Sequence, residues 1–429
     1  MKVLENSINL LKDGYVCDSC LGRSCASLLT GYTNKERGQI IRQFVALLID
    51  SGEKIDVDTS NFHGVKFRNV KLDAKKPGAC KVCKNFFLEK IDDVAKNIAK
   101  KLAGIEFATF QIGTILSDEL AGAEEKFFEA SGIEFIEPMK TEVNREIGKL
   151  VERLTKKTFD AKNPDVTILV DMKAGSNRIQ IKSLYIFGKY QKLARGVPQT
   201  KWICSDCKGK GCKKCKGQGK LYKTSVQEEI EKSLLKAAGS AKSSFHGLGR
   251  EDVDARCLGH RPFVIELLKP LKRKIDLKKL EKQINKSKKV KVKPDSLKFV
   301  GKDVIKKIKA AKIDKTYLAT VVFAKKINRS NIKELKSLVG AAIMQKTPQR
   351  VVHRRSDKYR KRTVKNISWK LLGTKKMQFK ITAESGLYIK ELINGDNGRT
   401  KPNIAELLGS SVKKIELDVI EIKDKRQII

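Results

Sequence analysis

Residues 249–267 read GREDVDARCLGHRPFVIEL. The stretch sets Arg250, Glu251, Asp252, Asp254 and Arg256 directly before RPFVIELL, an apolar run of strand length, so mixed charge stands at the entrance of a buried strand. Acids and arginines in such a place ordinarily make a salt-bridged turn. Downstream, KVKVKPDSLKFV, TYLATVVFAK, VKNISWKLL, MQFKITA and IELDVIEI also read as strands. NIKELKSLVGAAI and KPNIAELLG read as helices entered through Asn331 and through Asn403 or Pro402. Upstream, Ser225 three residues before Glu228 predicts a capped helix, SVQEEIEKSLLKAAG, with Val226, Ile230, Leu234 and Leu235 on one face. Residues 223–429 are therefore expected to be α+β, built around a mainly antiparallel sheet.

The rest of the chain divides in the same manner. Residues 1–90 alternate helical patterns with two CxxC pairs, and Asn34 with Glu36 and Arg37 opens a helix through Ile40, Ile41, Phe44, Val45, Leu47 and Leu48. Over residues 91–200 the helical period in IDDVAKNIAKKLAG and REIGKLVERLTKKT gives way to strands in DVTILVDM and NRIQIKSLYIFGKY. Residues 201–222, rich in Gly and Lys, read as punctuation between halves and predict a domain boundary. The expectation is a multidomain α+β protein.

Composition narrows the function. The 429 residues suit two to four domains at roughly 150 residues each. Lys and Arg number 91 against 49 Asp and Glu, a formal charge of +42, while 40% of residues are hydrophobic. That combination describes a folded protein that seeks a polyanion rather than a disordered basic tail. The N-terminal MKVLENSINLLKDG carries acids and polar residues through its only apolar stretch, so it offers no signal-peptide core. No run of about 18 apolar residues occurs, and the positive charge is spread along the chain rather than gathered on one amphipathic helix. A cytoplasmic nucleic-acid binder, with no membrane association, is the expected class.

Eight of the ten cysteines form four CxxC pairs: Cys17 with Cys20, Cys80 with Cys83, Cys204 with Cys207, and Cys212 with Cys215. Paired CxxC turns present thiolates to a tetrahedral Zn²⁺, and two pairs complete a closed structural site. The segment CSDCKGKGCKKCKGQGK is two CxxCxGxG knuckles back to back and could hold one zinc alone; the first two pairs must meet across a long insert. Thioredoxin-type redox chemistry is the rival, but four copies among lysines favour structure. Cys25 and Cys257 are left over and read as buried small hydrophobes. No GxGxxG or P-loop string occurs, so no organic cofactor is implied.

The string GREDVDARxLGxRPFxIEL resembles the aspartate motif of pseudouridine synthases, in particular the T-loop tRNA pseudouridine synthases of archaea and eukaryotes that carry a THUMP-containing N-terminal region. CDSCLGR followed by GYTNKERG looks like that family's zinc-binding opening. SLYIFGKYQKLARGVPQTKW looks like the end of its THUMP region. QKTPQRVVHRRSDKYRKR and SGLYIKELINGDNGRTKPNIAELLG look like later catalytic-domain motifs. The matches recur in order over nearly the whole chain. The resemblance implies isomerisation of uridine at positions 54, 55 or both of the tRNA T-loop, with Asp252 the obligatory carboxylate. It implies Lys390 as the basic residue that pairs with the aspartate, where many relatives of the wider superfamily have arginine. Tyr317 would lie against the uracil and help remove the C5 proton, with Tyr388 the alternative tyrosine. Chemically, a carboxylate suits either version of the reaction, attack on C1′ or removal of a C2′ proton, and an adjacent cation favours its ionised form.

A uridine inside folded RNA must first leave its stack, at a cost of a few kcal/mol. Residues 345–362 gather Arg350, His353, Arg354, Arg355, Lys358, Arg360, Lys361 and Arg362 around Tyr359, a run suited to phosphate contact. With Arg250 and Arg256 these are the candidate RNA-binding residues, and tRNA is the expected partner, with no protein partner required. The N-terminal region would grip the RNA by shape and backbone. Two rival readings exist. A non-enzymatic zinc-ribbon RNA-binding or ribosome-assembly protein explains charge and cysteines but not Asp252, Tyr317 and Lys390 in family order. A DnaJ-like chaperone would need a His-Pro-Asp tripeptide, which is absent.

Overall fold

In the computed structural model, which describes residues 2–354 and 356–423, the chain divides into two units, Met1–Lys182 and Ser183–Ile429. The first opens with helices Lys2–Lys12, Asp18–Arg23 and Asn34–Asp50. Two glycines let the second and third meet backbone to backbone. A Cβ on Gly22 would stand 1.8 Å from the Asn34 carbonyl oxygen, and one on Gly38 would stand 1.9 Å from that of Asp18. Thr33 caps the third helix in a reciprocal capping box with Glu36. That helix buries Val45, Ala46 and Ile49 and leaves Ile40, Phe44 and Leu47 exposed, so only part of its predicted apolar set enters the core.

Behind these helices stands a four-stranded sheet in the order Thr158–Phe159, Thr109–Ile115, Val166–Asp171, Ser176–Ile181. The first two pairings are parallel and the last antiparallel. Helices Ile91–Leu102 and Met139–Thr155 bury Ile98, Leu102, Val143 and Ile147 in one core that also contains Leu10, Cys17, Val45, Cys80 and Ile168. The expected division at residue 90 thus falls inside one unit, because the cysteine-bearing turns and the sheet share their apolar interior.

The second unit is built on an eleven-stranded sheet. Its path runs Thr400–Lys401, Ala342–Lys346, Tyr359–Gly373, Lys376–Ala383, Lys315–Phe323, Val412–Ile422, Arg256–Leu268, Leu184–Lys192, Val290–Val292. Lys242–Gly247 pairs with Arg256–Leu268, and Lys298–Val300 with Leu184–Lys192. Only the join of Val412–Ile422 to Arg256–Leu268 is parallel among these strands, through Asp418 opposite Arg256 and Val419 opposite Cys257. Helix Val226–Ala238 starts where expected, with the Ser225 hydroxyl accepting from the Glu228 amide.

Three expectations need correction. Leu184–Lys192, read as the end of the N-terminal module, pairs antiparallel with Arg256–Leu268 and belongs to the second sheet. The chain accordingly divides at 182/183, and the cysteine-rich segment 201–222 is an excursion within the second unit rather than a boundary. NIKELKSLVGAAI is a 3₁₀ helix only over Ser330–Leu338. Gly340, at φ +76°, turns the chain into the strand Ala342–Lys346, where pairing with Tyr359–Gly373 outweighs the helical pattern.

Candidate active site

The loop before strand Arg256–Leu268 is fixed from beneath by buried charge. The Glu251 side chain is 1% exposed; its carboxylate lies 3.0 Å from Arg261 Nε and 3.6 Å from Lys192 Nζ, and it accepts from the Tyr190 hydroxyl at 3.1 Å. Arg261 donates to the Leu248 carbonyl at 2.7 Å, and Lys192 donates to the carbonyls of Val197 and Asp252 at 2.8 and 2.9 Å. Burial lowers the Lys192 ammonium's affinity for its proton, and the Glu251 carboxylate works against that shift. Charges removed from water this fully persist only when paired, and here the pairing clamps the backbone of the residue after Glu251.

That residue is Asp252. Its Oδ1 accepts from Arg350 Nη1 at 2.7 Å, and its Oδ2 lies 3.5 Å from Lys390 Nζ. Arg350 is held at its other end by the buried Glu391 carboxylate, 2.5 Å from Nε. Lys390 donates to both oxygens of Asp254, at 2.7 and 2.8 Å. Burial pushes the Asp254 carboxyl up, but the hydrogen-bonded Lys390 ammonium outweighs it and holds Asp254 below its usual value. The closest cation to Asp252 is therefore Arg350, which was expected to hold RNA, while Lys390 serves chiefly Asp254.

A cleft of about 330 Å³ opens beside Asp252, lined by Tyr317 from strand Lys315–Phe323, Tyr388, Arg360 and Lys390 among others. Burial pushes the Tyr317 hydroxyl up to about 12, opposed by Arg261 and reinforced by Cys257 and Asp252, so it stays neutral near pH 7. Tyr388 precedes helix Ile389–Asn394, its amide donating to Gln345 Oε1 at 2.8 Å and its ring 6.0 Å from the Arg350 guanidinium. Both tyrosines thus face the same opening. A second cavity of about 280 Å³ shares Asp252, Arg350 and Lys390 with the first and adds Gln199, Trp202 and His353.

The other candidates scatter. Arg250 is exposed and borders both cavities. Arg256 is bonded to Asp418 at 3.1 and 2.6 Å and lines neither, so it ties the parallel strand junction instead. Arg360 donates to Thr347 Oγ1 at 2.8 Å, and Lys358 is exposed. Arg354 falls within the 3₁₀ turn Gln349–Arg354, and Arg355 lies outside the described residues. Residues not anticipated are Lys192, Tyr190, Arg261 and Glu391 beneath the site and Lys315 in the cleft wall, where burial and then Arg261 push its ammonium down to about 8. Of these only Glu391 carried a signal, as the acid next to Lys390.

The cysteines gather as two four-sulfur clusters, Cys17, Cys20, Cys80, Cys83 and Cys204, Cys207, Cys212, Cys215, the sulfurs of each within 4.8 Å of one another. The Cys17–Cys83 separation is 3.6 Å, and Cys204–Cys212 and Cys207–Cys215 are 3.8 and 3.7 Å. A tetrahedron with Zn–S arms of ~2.3 Å has edges of ~3.8 Å, so both donor sets fit a metal of that size. Backbone amides of Gly211 and Gly219 point at the sulfurs of Cys207 and Cys215, each at 3.2 Å, as thiolates require. Cys25 and Cys257 are buried, outside both clusters.

The sequence is matched by known families and proteins. The family model described as "Pus10, C-terminal" matches residues 185–423, and "Pus10 THUMP domain, archaeal" matches residues 94–171. The chain is 38% identical over 426 residues to a tRNA pseudouridine synthase Pus10 of Methanothrix thermoacetophila, covering 98% of this chain and 94% of that protein. It is 38% identical to the protein of that name from Methanopyrus kandleri, covering 95% and 96%. A crystal structure of a Cbf5–Nop10–Gar1 complex shares 14% identity at a TM-score of 0.29, covering 53% of this chain and 47% of that one. The chain is an enzyme of the pseudouridine synthase class. Within that class it belongs to the Pus10 family, which sets aside the non-enzymatic and chaperone readings.

Proposed function

We propose that this enzyme isomerises uridine to pseudouridine in the tRNA T-loop, at position 54, 55 or both, with Asp252 as the obligatory carboxylate. The observation that carries this is the seating of Asp252, 2.7 Å from Arg350 and 3.5 Å from Lys390, at a cleft lined by Tyr317 and Tyr388. A target nucleotide everted from its stack presents its ribose to Asp252 and its base to the tyrosines. The carboxylate attacks C1′ or takes the C2′ proton, the N1–C1′ bond breaks, and the base turns in place. The C5–C1′ bond then forms as the carboxylate leaves C1′ or returns its proton to C2′, the C5 proton departs, and N1 takes up a proton. Arg350 and Lys390 keep the carboxylate oriented throughout, and Glu251 with Lys192 keeps its backbone from shifting. Zn²⁺ is the metal we assign to both four-cysteine clusters, in a structural role, since closed four-thiolate sites leave no position open for substrate.

The substrate is tRNA, engaged in the cytoplasm without a protein partner. The test is carbodiimide-dependent reverse-transcription mapping of an unmodified tRNA transcript treated with the purified, metal-loaded chain. New stops are expected at the T-loop uridines. Asp252→Asn is expected to abolish them while tRNA affinity survives, and a variant that still forms pseudouridine would remove Asp252 from the mechanism. Affinity should fall steeply with added salt.

A further inference from the structure

Trp202 lines the second cavity together with Asp252, yet nothing in the isomerisation uses it. It stands at the foot of the cysteine knuckle. Between residues 201 and 223 the chain carries eight lysines and one acid, and Lys208, Lys210, Lys213 and Lys216 are exposed. The knuckle's base is closed by Cys204 N–H to Gly219 carbonyl and Leu221 N–H to Trp202 carbonyl bonds, each of 2.9 Å. Within it a Cβ on Gly219 would come 2.3 Å from the Gly209 carbonyl oxygen, so the two halves touch backbone to backbone. So short a glycine-rich loop has no core of its own; the four-sulfur site is what can hold it in one shape.

Both feet of the knuckle are tied to the catalytic loop's surroundings. The Gln199 side chain donates to the Gly249 carbonyl and to the Tyr190 hydroxyl, each at 2.9 Å. Pro198 and Gln199 accept from the amides that start helix Val226–Ala238. Trp202 stands edge-on to Tyr222, ring centroids 5.3 Å apart, which fixes its indole while leaving it half-buried at the cavity. A rigid aromatic next to a reactive carboxylate, backed by a lysine-rich loop, is the chemistry that holds single-stranded RNA: the ring stacks on a base and the ammonium groups meet phosphates.

We propose that residues 202–220 form a metal-stapled clamp for the nucleotides flanking the target uridine, with Trp202 stacking on the neighbouring base and the knuckle lysines holding adjacent phosphates. This rests on Asp252 marking where the target ribose sits. It extends that reading from the nucleotide that reacts to the one beside it. The metal acts on RNA only by fixing the shape of the loop.

The decisive experiment uses the full, metal-loaded chain with Trp369→Phe, which leaves Trp202 as the sole tryptophan. A labelled T-arm stem-loop RNA is titrated while anisotropy reports binding and indole emission reports stacking. Emission is expected to fall in step with binding. RNA saturation with unchanged emission overturns the proposal, and this readout keeps Trp202 in place, so no folding defect at that position can obscure it. Trp202→Ala should raise Kd about tenfold, with Trp202→Phe restoring most of the loss; a Kd within twofold of the parent for Trp202→Ala also overturns it. Replacing Lys208, Lys210 and Lys213 by Ala should reduce the salt slope of log K by ~2. Cys212→Ser, checked by metal content, should lose the quenching; full quenching without that metal refutes the stapling role. Adding Asp252→Asn should leave the emission change intact. If that variant still makes pseudouridine, the catalytic assignment fails while the emission result stands or falls by itself.

Discussion

Each unit of this protein contains a four-cysteine cluster and a buried carboxylate, and the two units build them in opposite ways. In the first, the cysteine pairs are brought together from turns more than fifty residues apart and sit within the apolar core. Its buried acid, Glu142, has one oxygen without a hydrogen-bond partner among the described residues, and the fully buried Arg23 guanidinium near it has no hydrogen-bond partner there on any nitrogen. In the second unit the four cysteines lie within twelve residues, Cys204 and Cys215 buried and Cys207 and Cys212 half-buried, whereas Glu251 is surrounded by Arg261, Lys192 and Tyr190. Cysteines gathered over a long range sit inside a core, whereas a local cluster shapes only a loop; the buried charges of the second unit pair around the residue before Asp252, although Arg261 Nε, like the nitrogens of Arg23, makes no hydrogen bond among the described residues.

The largest effect expected from this contrast is the loss of the first cluster. Cys80→Ser should abolish cooperative unfolding of the first unit, since structural Zn²⁺ contributes an apparent ~10–16 kcal/mol to folding. Cys212→Ser should unfold the knuckle locally and shift the cooperative transition of the second unit by less than ~1 kcal/mol, because the loop has no core of its own to couple to that transition. Calorimetry with metal analysis checks both, and equal losses would break the comparison. Next comes Glu251→Ala, which strands buried Arg261 and Lys192 and should cost ~3–5 kcal/mol in urea unfolding. An effect below ~1 kcal/mol would mean the network is not what holds the loop.

The smallest concerns pH. Burial pushes the Glu142 carboxyl up to about 7, with Arg23 opposing the shift. Its ordinary value is 4.5, so between about 4.5 and 7 the folded state binds more protons than the unfolded one. This group's contribution is therefore fully present below about pH 4.5 and is lost as pH rises to about 7, by up to ~3 kcal/mol. Glu142→Gln should flatten that decline when stability is followed by urea unfolding at each pH. An unaltered slope would mean that the acid is better satisfied than its surroundings indicate.

Much of the site is written in single short strings. Mixed charge at the entrance of an apolar strand marks the turn around Asp252, but by itself that pattern reads as a salt-bridged turn; Asp252 and Tyr317 are singled out by the resemblance of their strings to those of pseudouridine synthases. Arg350 was not legible as the partner of Asp252. Ninety-eight residues separate them, and a run holding several arginines does not say which one a fold will turn inward. Lys192 was hidden for a different reason: a lysine ending an apolar strand reads as solvated, and only the meeting of that strand with Arg256–Leu268 puts Glu251 next to it. SLYIFGKY has the same pattern whichever sheet receives it, which is why the boundary between units was misplaced.

Arg350 is anchored to Glu391 by one edge and touches Asp252 with the other. Held from behind in this way, the guanidinium presents an edge to Asp252 that is already aimed, so its side-chain freedom is lost once, in folding, and the carboxylate faces a cation of fixed direction.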